Sequence, residues 1–362
     1  MDKKYLIDIL NEYGILENEV EEISPFGNGH INSTFKIIAG GKVYILQKIN
    51  HYVFKNPVKL MDNMVAVTSF IKEKTEKLGG DPSRATITIL KTLKGKNLVI
   101  TKEREYFRLQ HCIDGITLDS ADNKTLCTVG ETFGKFQNLL SDFPAYTLYD
   151  VIPDFHNTVK RYGDLVSAIN VDIKSRAAFV GDEINYAVSR KNYIDRIVTG
   201  LSTGEIPLRV THNDTKLNNV LLNPETLEGV CVIDLDTIMA GSYLYDYGDA
   251  LRFAASSADE DEKDLSKVYF DMEKFESFTK GYLAESKKKL TEREIALMAY
   301  SVELMTYECG IRFLTDYLNG DVYFKISREE HNLDRARTQF ALARDIHRKL
   351  PEMQEIIHKY SK

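Results

Sequence analysis

The chain reads as an α/β protein of the α+β kind, a small antiparallel sheet followed by a larger, mainly helical part. Three observations predict this. Up to about residue 112, short runs of β-branched and aromatic residues alternate with turn residues, interrupted by one amphipathic stretch at about 58–78. Beyond that, apolar residues recur at helical spacing over long stretches. No Pro-, Gly- or Ser-rich linker intervenes, and 362 residues with 43% apolar content suffice for two lobes, each with its own core. The expected lobes are 1–112 and 113–362.

The elements follow in order. Residues 1–10 have apolar positions at helical spacing but no signal-peptide core. Pro25-Phe-Gly-Asn-Gly-His-Ile-Asn32 is a glycine-bearing loop. It feeds a strand at 33–38, a two-residue turn at Gly40-Gly41 and a strand at 42–48, a hairpin pattern. Stretches 86–90, 97–100 and 105–109 complete the sheet, and 110–113 passes between the lobes. A strand at 206–210 and a hairpin from 220–222 and 229–233 flank a polar loop. Helical patterns cover about 124–140, 182–199, 272–284, 291–318 and 328–349, and most of their Tyr, Phe and Leu are core.

The polar loop, His212-Asn213-Asp214-Thr215-Lys216-Leu217-Asn218-Asn219, and the later Ile233-Asp234-Leu235-Asp236 carry the chemistry. An Asp, an Asn five positions on and a further Asp about twenty residues later supply a base beside an incoming hydroxyl and two hard oxygen ligands for Mg²⁺. Phosphoryl transfer from ATP requires that set. Asp214 is then the base, and Asn219 and Asp234 are the metal ligands. Taken singly, the pairs are turn residues or chance in an acidic chain. As a cluster they also allow a hydrolytic metal site built from His212, Asp214, Asp234 and Asp236. The glycine loop favours the kinase reading. It leads into a strand, whereas a dinucleotide fingerprint or a P-loop opens a helix, so its context is that of a flap over nucleotide phosphates. A glycine pair alone mostly marks a turn.

These residues resemble a family. From about Ser24 onward the chain is similar to the aminoglycoside phosphotransferase and choline kinase superfamily, and within it to the bacterial N-acetylhexosamine 1-kinases. The resemblance is carried by Gly27-Asn-Gly-His-Ile-Asn32, Tyr44-Ile-Leu-Gln47, the stretch 208–219, Val232-Ile-Asp-Leu-Asp-Thr-Ile238, the acidic run 259–267, Glu308-Cys-Gly-Ile-Arg-Phe-Leu314 and Asp321-Val-Tyr-Phe324. It implies a two-lobed protein-kinase-like fold that uses ATP and Mg²⁺ to phosphorylate the anomeric hydroxyl of N-acetylglucosamine and N-acetylgalactosamine. It places Gly27, Asn28, Gly29, Ile31 and Asn32 over the nucleotide, with Gln110 and Cys112 at the adenine. It places His30, Asp214, Arg312 and Tyr323 at the sugar, and Asp246 as acceptor of hydrogen bonds from the catalytic loop. Where the superfamily commonly offers a cation to the phosphates, this chain has Gln47 with Lys48 beside it. Alternation along a strand sends only one of them into the cleft.

Several residues have plainer readings. Arg312 is spaced to pair with Glu308 along a helix, and Arg252 with Asp249 on a helix surface. His212 beside Asp214 reads as an orienting core residue. Asp236 either ligates metal or holds its neighbours. Choline, homoserine or an aminoglycoside are alternative acceptors, and a pseudokinase-like binding module is the alternative to an enzyme. A protein kinase fits less well, because Asn213 precedes Asp214 and Asp234 is not followed by Phe-Gly.

Composition narrows the setting. With 54 acidic and 47 basic residues the net charge is −7, which opposes nonspecific nucleic-acid binding. Four cysteines lie far apart without a Cys-x-x-Cys, and no apolar run approaches membrane-spanning length. The expectation is a cytoplasmic monomer whose partners are small molecules, ATP and an amino sugar, with no nucleic acid and no membrane.

Overall fold

The computed structural model describes residues 2–27 and 31–362. Its first helix, α1 (Lys3–Asn11), is capped by the Asp2 carboxylate, which accepts from the Lys4 amide. The strands that follow are β1 (Val20–Pro25), β2 (Ser33–Ala39), β3 (Lys42–Ile49), β4 (Val99–Ile100) and β5 (Tyr106–His111). They form one antiparallel sheet in the order β1-β2-β3-β5-β4. Gly40 and Gly41 join β2 to β3 with φ of 55° and 69°, the left-handed pair that a tight hairpin turn requires. Alternation then sorts β3. Tyr44 and Leu46 pack with Leu6, Ile9 and Leu10 of α1 in a small core, while Ile49 turns to the opposite face and joins the large one.

Helix α2 (Pro57–Lys77) forms where its periodicity predicts, with Asn56 as its cap and Pro57 in its first turn. It sides with the helical part. Leu60, Met64, Val67 and Ile71 are buried in the large core, and Asn63 Nδ2 donates to the Tyr149 and Ile238 carbonyls at 2.8 and 2.9 Å. The short α3 (Pro82–Ala85) follows. Segment 86–90 is not a regular strand. It touches the sheet at one bridge, Ile89 to Gln110, because β4 already occupies the Tyr106–Phe107 end of the same β5 edge.

Beyond β5, Ile116 exchanges two 2.9 Å backbone hydrogen bonds with Leu222, tying the crossing segment to the hairpin of the polar loop. The helical part begins with α4 (Asn123–Leu139), α5 (Thr158–Val171), α6 (Gly181–Ser189) and α7 (Arg196–Thr203). The single helix expected at 182–199 is broken between α6 and α7. Tyr193 sits at the break and is pinned at both ends, its hydroxyl donating to Glu303 and its carbonyl accepting from the Tyr300 hydroxyl, so tertiary anchoring overrides the local period. Strands β6 (Arg209–Thr211), β7 (Val220–Leu222), β8 (Gly229–Val232) and β9 (Met239–Gly241) form two antiparallel pairs, β6 with β9 and β7 with β8.

The chain closes with α8 (Tyr243–Ala254), α9 (Met272–Ser286), α10 (Glu292–Asn319) and α11 (His331–Ser361). A Thr291/Glu294 capping box starts α10, and Gly320 at φ 95° stops it. Helix α11 runs past 349 and through Pro351, because Met353 and Ile357, both buried in the large core, anchor its last turns. Among the described residues no helix is long and apolar enough to cross a membrane.

Helices α8 and α10 cross closely at Gly248, where a Cβ would lie 2.4 Å from the Ser301 carbonyl oxygen. We expect Gly248→Ala to cost about 1 to 3 kcal/mol, the usual range for overpacking. Chemical denaturation of the purified variant checks this, and a stability equal to wild type would show that the two helices can part freely.

Candidate active site

Strand β6 delivers the chain into the polar loop, and a single buried carboxylate receives it. Asp246, in the first turn of α8, accepts from the His212 and Asn213 backbone N–H groups at 2.9 and 2.8 Å and from Gln137 Nε2 at 3.1 Å. Its own carbonyl accepts from the Thr215 hydroxyl at 2.7 Å. Burial pushes its carboxyl above the usual range, so these donors supply what an ionised group needs there. Asn213 takes the left-handed conformation at φ 64°, which a short polar side chain tolerates, and donates to the Thr211 and Thr237 carbonyls. His212 is orienting, as its sequence position suggests. Its Nε2 lies 2.8 Å from the Ile233 carbonyl and its Nδ1 accepts from the Asp214 amide at 3.3 Å, so both ring nitrogens are engaged.

The loop brings Asp214, Asn219 and Asp234 together. Asn219 Nδ2 donates to the Asp214 carbonyl at 2.7 Å, which leaves its side-chain oxygen for a cation, and its own carbonyl accepts from the Ile233 amide at 2.9 Å. Asp234, left-handed at φ 59°, keeps an exposed face towards the cleft. The protein packed behind it, and then the Asp236 and Asp214 carboxylates, push its carboxyl up to about 6. Crowded oxygen donors of this kind fit a hard divalent cation, whose charge would relieve the crowding. The four-ligand hydrolytic site does not form, because His212 is engaged at both ring nitrogens and Asp236 is occupied on both oxygens. Arg108 pairs with Asp236 Oδ1, and Asn32 Nδ2 donates to Oδ2.

Lys216 was missed by the motif reading, which assigned it no role. Its Nζ lies 3.0 Å from Asp214 Oδ1. Burial works against its charge, but the Asp214 carboxylate outweighs it and holds the ammonium above its ordinary pKa. The available signal was spacing, since two residues apart in extended chain means the same face.

On the nucleotide side, Gly27 has φ 75°, Ile31 is exposed, and Asn28, Gly29 and His30 lie outside the described residues. Asn32 is committed elsewhere than a ligand, its Oδ1 accepting from the Asn50 amide at 2.9 Å and its Nδ2 serving Asp236. Gln47 is held by Arg108, whose Nε and Nη2 donate to its Oε1 at 2.9 and 2.7 Å. Lys48, expected as a possible phosphate contact, pairs with Glu105 on the α1 side of β3, so alternation takes it out of the cleft. Gln110 shares the Arg108 face of β5, and its buried Oε1 has no protein partner among the described residues. At Cys112 the backbone N–H, expected at the adenine, is spent on the Val43 carbonyl at 3.0 Å, and burial pushes the thiol up.

A cavity of about 420 Å³ is lined by Arg161, Asp164, Arg312, Asp316, Tyr323 and Phe324 among others. Arg312 is not paired with Glu308. Glu308 is buried and turned to His156 Nδ1, 2.7 Å away, and to the Thr158 hydroxyl. Burial opposes its charge, but these partners and nearby Arg312 outweigh that and hold its carboxyl below the ordinary range. Among the described residues Arg312 therefore has no hydrogen-bond partner, and its guanidinium lies over the Phe155 and Phe324 rings at 5.3 and 5.5 Å. Tyr323 stands at the rim, 64% exposed. Asp316 is committed to the 322–324 turn, accepting from the amides of Val322, Tyr323 and Phe324. The Asp249–Arg252 pair, expected on a helix surface, is buried, with Arg252 also reaching Glu260.

Solved structures share this architecture. The microcompartment-associated aminopropanol kinase superposes with a TM-score of 0.64 at 16% identity, covering 98% of this chain and 99% of that one. Choline kinase from Cryptosporidium parvum gives 0.59 at 15% identity, covering 98% of each chain. A spectinomycin phosphotransferase in complex with ADP and its antibiotic gives 0.53 at 14% identity, covering 94% of this chain and 98% of that one. At such identities the likeness establishes the fold, two-lobed and protein-kinase-like. The family rests on sequence, for the model of the phosphotransferase enzyme family matches residues 22–278, well over half of the chain. With the catalytic loop, Asn219, Asp234 and Asp246 all inside that match, the chain belongs to the phosphotransferase enzyme family.

Proposed function

We propose that the protein phosphorylates the anomeric hydroxyl of N-acetylhexosamines with ATP. The observation that carries the acceptor side is Arg312, a guanidinium in a cavity with Tyr323 whose expected partner Glu308 is bonded elsewhere. Its planar fork suits ring hydroxyls or an acetamido carbonyl, and Tyr323 can stack on an apolar sugar face while donating a hydrogen bond. A cationic acceptor, of the sort choline is, fits less well. Arg161 and Arg312 line one cavity, while its carboxylates are committed, Asp164 to Lys160 and Asp316 to backbone amides.

The mechanism follows from the loop. Asp214 accepts the proton of the attacking hydroxyl, and the Asp246 contacts to the loop backbone hold it in place. An anomeric hydroxyl is more acidic than an ordinary alcohol, because the ring oxygen withdraws charge, so an ordinary carboxylate suffices. Lys216 holds one Asp214 oxygen and leaves the other facing Asn219 at 3.4 Å. Asn219 and Asp234 are the residues that would hold Mg²⁺, whose charge neutralises the nucleotide phosphates. Arg312 and Tyr323 orient the sugar.

Three outcomes follow from this reading. ADP release should be stimulated by N-acetylglucosamine and N-acetylgalactosamine, with a sugar 1-phosphate as the product identified by NMR; turnover only with choline or an aminoglycoside would sink the acceptor assignment. Asp214→Asn should lose roughly 10²- to 10⁴-fold in kcat yet still bind Mg-ATP, as for a lost general base. Near-wild-type turnover would remove Asp214 from that role. Arg312→Ala should weaken acceptor binding by about 1.5 to 3 kcal/mol with little effect on ATP, the worth of a charge-assisted hydrogen bond. Separate KM values for sugar and nucleotide check this, and a change confined to ATP would contradict it.

A further inference from the structure

Strand β3 sends no cation into the cleft. Lys48 faces α1, and the side chain turned inward is the neutral Gln47. The charge comes from the next strand instead. Arg108 of β5 is the cross-strand partner of Gln47, and it is 1% exposed. Its guanidinium is divided between two structures. Nε and Nη2 grip Gln47 Oε1, while Nη1 pairs with Asp236 beyond the sheet.

Asp236 lies two residues past Asp234, in the 3₁₀ turn Leu235–Thr237, so whatever fixes Asp236 also fixes the turn that presents Asp234. Its second oxygen is held by Asn32 at the foot of the glycine loop, and Asn32 is in turn held by the Asn50 amide. One carboxylate thus gathers the metal turn, the glycine loop and β5. A buried ion pair of this kind is weak evidence for stability, since apolar packing does that work as well. What it sets is relative placement.

We propose that Arg108 is a positioning residue for phosphoryl transfer. Through Asp236 it holds Asp234 in register with the sheet and the glycine loop. Nε, Nη1 and Nη2 of Arg108 each already serve a protein partner, Gln47 or Asp236. An ammonium cannot replace it, because only a planar fork reaches Gln47 and Asp236 at once. The proposal rests on the reading of Asp234 as the metal-holding aspartate.

The test uses the full-length chain and calorimetric titration of Mg-ATP across a Mg²⁺ series, with acceptor KM and thermal midpoint measured alongside. Arg108→Lys should raise the Mg²⁺ requirement for nucleotide binding by about 10- to 100-fold, the usual effect of losing a partner behind a metal ligand, and leave the acceptor KM within about twofold. A folded Arg108→Lys with the wild-type Mg²⁺ requirement overturns the proposal, as does an equal rise in acceptor KM. Where the Arg108 variant fails to fold, Gln47→Leu keeps the Asp236 pair but frees the fork; it should shift the Mg²⁺ requirement in the same direction, and no shift overturns the proposal. The titration contains no acceptor, so it reads Arg108 even if the sugar assignment fails.

Discussion

The site depends on one buried carboxylate. Asp246 lies in the first turn of α8 and accepts from two successive backbone amides of the loop it faces, so it fixes the direction of the chain just before Asp214. A loop cannot satisfy its own amides when it is buried, and an unpaired N–H there costs free energy comparable to a lost hydrogen bond. Asp246 removes that cost and adds Gln137 of α4 and Thr215 of the loop to the same knot. The left-handed Asn213, the engagement of both His212 ring nitrogens and the short distance from Asn219 to the Asp214 carbonyl all accompany a loop held at its start. Helix α8 can hold it because Gly248 lets that helix lie hard against α10.

Much of this was legible in the sequence, and the limits have physical causes. Periodicity located α2, α4, α9 and α10, and glycine chemistry located the β2–β3 hairpin, because those elements are set by their own residues. It misread segment 86–90 and the break at Tyr193, because both depend on which neighbour reaches an edge or a carbonyl first. Helix α5 carried no recognised pattern, and α11 continues through a proline on the strength of its buried contacts.

The candidate site divides in the same way. Asp214, Asn219 and Asp234 are close in sequence and joined by a short hairpin, so their convergence could be read from spacing. Arg108, His156 and Glu308 could not. Each acts through a partner far away along the chain, Arg108 on Asp236 and His156 on Glu308, and a linear pattern carries no trace of such pairs. The helical spacing of Glu308 and Arg312 even pointed the wrong way. His156 and Thr158 claim the glutamate, and the arginine is left stacked on two phenyl rings. Alternation along β3 posed the choice between Gln47 and Lys48, and Glu105 and Arg108 settle which way each side chain turns.

Helix α2 stands in the chain between strands of the small sheet, yet Leu60, Met64, Val67 and Ile71 are sunk in the large core, and Asn63 is bonded to the carbonyls of Tyr149 and Ile238. A cleft that opens must therefore leave this helix behind. Three stretches of chain join the five strands and α1 to the part that holds α2, one at 50–56 before α2, one at 86–98 between α3 and β4, and one at 112–115 after β5. Ile116, locked to Leu222, sets the far limit of the third. Asn50, whose amide anchors Asn32, sits at the first, so the same residue that steadies the glycine loop lies where the chain leaves the sheet for α2.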